Sequence, residues 1–85
     1  MFPKYKNLSA SGLVKTGAGT IRGVMVASST AGTIKLWDNT SAAGTVIVNT
    51  TAAITAPQFF PIEGSFTTGL YCTIGGTADV TVFYN

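Results

Sequence analysis

The sequence has no histidine and one cysteine, Cys72, and its acids are only Asp38, Glu63 and Asp79. A single cysteine excludes an intrachain disulfide. Zinc needs several Cys, His or carboxylate ligands, and calcium needs clustered oxygen donors; neither set is visible, so no metal or cofactor is expected. Without histidine there is no base for a serine or cysteine triad. Charged residues make up 9% of the chain, against about 25% in ordinary soluble proteins. The net charge of +2 is too weak for the phosphate contacts that nucleic-acid binding requires, so no nucleic-acid partner is expected. No apolar run approaches the ~20 residues of a membrane-spanning helix, and no signal-peptide pattern opens the chain. No membrane partner is therefore expected, and synthesis is expected in the cytoplasm of the producing cell.

Thr, Gly, Val and Ala fill the sequence instead. Threonine and valine are stiff at χ1 and fit a pleated surface better than a helix. Short β-type runs alternate with Gly, Asn and Ser breaks every ten residues or so, the spacing of a sandwich or small barrel. The predicted strands are Leu13–Thr16, Thr20–Ala27, Thr33–Asp38, Thr45–Asn49, Gln58–Ile62, Leu70–Ile74 and Asp79–Tyr84, with a further short strand in Tyr5–Ser9. The expected fold is all-β, a seven- to eight-stranded antiparallel sandwich of jelly-roll-like or immunoglobulin-like type. Residues 1–12 are expected to form an extended N-terminal arm and residues 13–85 the sandwich. Gly44 closes a loop between the third and fourth runs, and Gly75-Gly76 is expected to reverse the chain between the last two. Gly17-Ala18-Gly19 reads as another hairpin turn. Pro57 and Pro61 bracket the run at Gln58 and mark it as an edge, because proline cannot donate to a ladder.

Alternation across strands assigns faces. Ile34 and Leu36 lie opposite Thr33, Lys35 and Trp37. Leu70, Cys72 and Ile74 lie opposite Tyr71 and Thr73, and Val80, Val82 and Tyr84 lie opposite Thr81 and Phe83. The aliphatic sets point inward, and Cys72 with them. The outward sets carry Trp37, Tyr71 and Phe83 beside Lys35. These four, with Phe2 and Tyr5 of the arm, are the candidate interface. Aromatic side chains on a polar face are enriched at protein interfaces and also stack on sugars. Asp38 and Asp79 would serve a glycosidase only if they flanked a cleft at about 5–10 Å; they read more simply as turn and strand-end carboxylates.

A small domain with no disulfide or metal usually completes its core by association. A homo-oligomer, a trimer first of all, is therefore expected. The stretch from Ser28 to Ile47, with Thr68-Gly69-Leu70-Tyr71 and Gly76-Thr77-Ala78-Asp79-Val80-Thr81-Val82, resembles a group of small virion proteins of tailed bacteriophages. That resemblance implies a non-enzymatic structural protein located in the virion, of the capsid decoration or cement type, with the major capsid protein or another virion protein as partner. The alternative it leaves is a carbohydrate-binding or host-recognition module of a head or tail fibre, with Trp37 and Tyr71 as a glycan platform.

Overall fold

The computed structural model describes residues 2–85; Met1, the first residue of the expected arm, lies outside the described residues. The described residues form seven strands and no helix: β1 (Lys4–Leu8), β2 (Gly12–Thr16), β3 (Gly19–Asp38), β4 (Thr45–Val48), β5 (Gln58–Phe60), β6 (Gly64–Phe66) and β7 (Gly69–Tyr84). The all-β expectation holds. All seven belong to one antiparallel sheet, whereas the jelly-roll and immunoglobulin-like readings supposed separate sheets.

The physical reason is that β3 and β7 are each one strand where the sequence reading placed two. They lie side by side from Ile21↔Tyr84 to Trp37↔Tyr71. Gly75-Gly76 does not reverse the chain. Gly76 adopts φ +68°, a left-handed conformation natural to glycine, and faces the segment Ala31-Gly32 of β3 at a register shift, with the ladder resuming on both sides. A Cβ on Gly76 would stand 2.6 Å from the carbonyl oxygen of Ala31, which no side chain tolerates. The apparent turn is therefore a bend shared by both strands. Ala31 takes φ +53°, and Ser29 Oγ accepts the N–H of Gly32 at 3.0 Å.

Along this pair the seventeen residues from Ile21 to Trp37 run beside the fourteen from Tyr71 to Tyr84: Arg22, Ala27, Ala31 and Gly32 of β3 have no partner, and neither does Gly76 of β7. The register shifts fall at Ile21/Gly23, Val26/Ser28 and Thr30/Thr33. Bulges of this kind bend a strand and increase its twist. β7 has a single unpaired residue, Gly76, and on either side of it the core-facing positions Leu70, Cys72, Ala78, Val80 and Val82 are buried.

Other strands flank this spine on both sides of the bend. β1 pairs with the C-terminal half of β7, and β2 with its N-terminal half. β5 and β6 pair with the N-terminal half of β3, and β4 with its C-terminal end. Between β4 and β5 a loop covers the rest of that edge. The N–H of Thr51 donates to the carbonyl of Ile34 at 3.0 Å, and that of Ile54 to the carbonyl of Gly32 at 2.8 Å. Ile54 then enters the core. The two halves share a single core cluster, from Ile21, Val24, Val26, Val80 and Val82 on one side of the bend to Ile34, Leu36, Leu70 and Cys72 on the other.

The further short strand expected in Tyr5–Ser9 is present as β1: it pairs with β7 at five positions, and Leu8 is buried. One further expectation changes. Gly17 and Ala18 do join β2 to β3, yet the two strands do not pair, because β2 lies against β7. The folded chain exposes 4557 Å², close to the roughly 4,700 Å² of a compact monomer of this mass. Association therefore has to be argued from particular surfaces, since burial is already that of a complete small domain.

Candidate functional site

No cavity or cleft opens among the described residues, so the candidate surfaces are the outer faces and edges of the sheet. Each half carries a row of large apolar side chains running from strand to strand across its outer face. The rows lie on opposite sides of the bend at Gly76.

The first row is Leu13, Tyr71, Trp37 and Val46, one residue from each of β2, β7, β3 and β4. Leu13 stands opposite Tyr71, Tyr71 opposite Trp37, and Trp37 opposite Val46. Trp37 is half-buried and fixed by two contacts. Its Nε1–H donates to Thr73 Oγ1 at 2.9 Å, which satisfies the only polar group of the indole. The ammonium of Lys35, two residues away on the same face, lies 4.3 Å from the ring centroid, a cation–π geometry.

The second row crosses β1, β7, β3 and β5. Tyr5 stands opposite Phe83, and Phe83 opposite Gly23. Phe59 of β5 pairs with Met25 and leans over Gly23. The missing side chain is what admits it: a Cβ on Gly23 would lie 2.5 Å from Cζ of Phe59 and 3.2 Å from the carbonyl oxygen of Phe60. The Tyr5 and Phe83 ring centroids are 6.4 Å apart with planes at 52°, and those of Phe59 and Phe83 are 6.4 Å apart at 62°. Tilted pairs at this separation are favourable for aromatic quadrupoles. The row is nevertheless open: Tyr5 is 70% exposed and Phe59 49%. Phe2, next to β1 along the chain, is 93% exposed.

The sequence reading grouped Trp37, Tyr71 and Phe83 as one surface. Trp37, Tyr71 and Lys35 are indeed together. Phe83 is parted from them by the bend and joins Tyr5 instead, along with Phe59, which the sequence reading left out. Phe59 sits between two prolines in a three-residue strand, too short for alternation to assign it a face. The one available signal was Gly23 inside a β-branched run, because glycine within a strand marks a close approach of another group.

Neither candidate carboxylate lies near the other along the sheet. Asp38 ends β3 opposite Thr45, and Asp79 pairs with Ser28 beyond the bend. Asp38 closes the turn before β7: its carboxylate accepts the N–H of Thr68 at 2.9 Å, that of Thr67 at 3.0 and 3.1 Å, that of Gly69 at 3.4 Å and the Thr67 hydroxyl at 3.3 Å. The N–H of Thr68 and then that of Thr67 hold its pKa below the ordinary carboxylate range. Asp79 accepts Asn7 Nδ2–H at 2.7 Å. Cys72 is buried, and that burial pushes its thiol up to about 12, so it has almost no thiolate at neutral pH.

On β1, alternation puts Lys4 and Lys6 on the same side as Leu8. They stand opposite Tyr84 and Val82, the core-side positions of β7. Leu8 reaches the core, while both lysines remain exposed, because the edge of the sheet extends past the core there. The chain matches no protein-family model, no curated protein and no solved structure.

Proposed function

We propose that the protein is a non-enzymatic structural component of a tailed-phage virion. In this reading it acts as a decoration or cement protein that binds and stabilises the lattice of the major capsid protein, itself as a homo-oligomer, a trimer first of all. The observation that carries the assembly role is the open row of Tyr5, Phe83 and Phe59 with Phe2 beside it. Burying one such ring against a neighbour contributes about 1.5–3 kcal/mol, repeated at each copy of the contact. The virion assignment rests on the sequence resemblance in the segments around Trp37 and Val80.

The glycan reading has less support. Sugar stacking needs an open aromatic face, and Lys35 already lies over the Trp37 ring. The test is co-sedimentation of the purified protein with capsid shells of the source phage, with the shells' melting temperature as a second readout. Saturable binding that raises that temperature is expected. Failure to bind shells, with retention on a glycan array lost in the Trp37→Ala variant, would replace this reading with the carbohydrate one.

A further inference from the structure

The outer edge of β1 differs from the other candidate surfaces because it combines an unpaired backbone with an unbalanced charge. Among the described residues β1 ends the strand order and pairs with β7 alone. Its second edge therefore offers free N–H and C=O groups, the template for strand addition. Lys4 and Lys6 share one side of that strand, both exposed. The nearest acid of the neighbouring ladder, Asp79, is already engaged by Asn7 at the far end of β1.

A second copy of the chain is a poor occupant. The antiparallel register that pairs all five residues of β1 with those of a second copy sets Lys6 opposite Lys6, and like charges directly opposite across a strand pair are destabilising. A nucleic-acid strand is also disfavoured, since two lysines give too few phosphate contacts. An extended segment with acids at alternate positions fits both features at once: its backbone completes the ladder, and its acids stand beside Lys4 and Lys6. We propose that β1 accepts an acidic, extended strand from the partner protein. This rests on the lattice-binding reading above and names the kind of segment the partner contributes.

The test uses four probes against the wild-type chain and the Lys4→Glu/Lys6→Glu variant: a labelled peptide alternating glutamate and valine, its lysine–valine counterpart, an oligothymidylate, and capsid shells. Wild type is expected to bind the glutamate peptide, with new amide protection at residues 4–8. The variant is expected to bind it about tenfold more weakly and to prefer the lysine peptide, a gain that also shows the variant is folded. Equal binding of the glutamate peptide by both chains, or binding of the oligothymidylate in its place, would overturn the proposal. The shells separate the two readings. Wild type and variant binding shells equally would remove the edge site and leave lattice binding standing. A charge-swapped peptide preference without shell binding would keep the acidic-strand site and remove the lattice.

Discussion

The two outer rows are built alike and finished differently. Each takes one residue from each of four strands, and each has a β7 aromatic near its middle, Tyr71 in one and Phe83 in the other. In the first row the β3 position is Trp37, hydrogen-bonded by Thr73 and covered by Lys35. In the second it is Gly23, and the space is filled by Phe59 leaning in from an edge strand. Trp37 has its polar atom satisfied and one ring face covered, and the exposed members of its row are the smaller Leu13 and Val46, at 37% and 40%. Tyr5 and Phe59, residues at 70% and 49% exposure, remain available to another molecule. An aromatic on an outer face is thus not by itself an interface; what occupies its ring face and its polar atom decides.

The largest expected effect comes from removing the bend that keeps the rows apart. Gly76→Val forces a branched side chain into a left-handed backbone, 2.6 Å from a carbonyl oxygen, and should cost about 2–3 kcal/mol. Chemical denaturation measures it, and a loss below half a kcal/mol would mean that β3 and β7 do not bend together there. Trp37→Ala comes next: a half-buried indole with its hydrogen bond should cost about 2 kcal/mol, or roughly 10 °C in melting temperature. Tyr5→Ala should change stability by less than about 0.5 kcal/mol. Equal losses in the two variants would erase the distinction between the rows.

Asp38 gives a smaller effect with a defined pH dependence. Its folded pKa lies below the unfolded value of about 3.9. Its contribution is therefore complete above the unfolded value and is lost as pH falls through the folded one. Melting temperature measured downward from pH 5 should fall in wild type and fall less steeply in Asp38→Asn. Parallel curves would mean that the Thr67–Gly69 turn does not depend on the charge. Smallest of all, Cys72 should resist alkylation at pH 8 in the folded protein and react at once in denaturant.

Much of the core was legible from alternation. Ile34, Leu36, Leu70, Cys72, Val80 and Val82 were assigned inward and are buried. The continuity of β3 and β7 was not legible, because Ser28–Gly32 and Gly75-Gly76 carry the same residues whether a chain reverses or bends. Only the partner strand decides between those outcomes, and strand pairing is not a local property. β6 escaped for a related reason. Its three residues Gly64-Ser65-Phe66 hold one apolar side chain, yet Phe66 is among the largest fully buried groups. The outer rows were half legible: parity gave Tyr71, Trp37 and Phe83 their faces, but placing Phe83 with Tyr5 and Phe59 required the register.

The most direct test of the contrast between the rows is sedimentation velocity at tens of micromolar on wild type, Tyr5→Ala/Phe59→Ala and Trp37→Ala. The account predicts an oligomer for wild type, a folded monomer for the double variant, and a less stable chain that still assembles for Trp37→Ala. A wild-type monomer, or a double variant that assembles as wild type does, would contradict it.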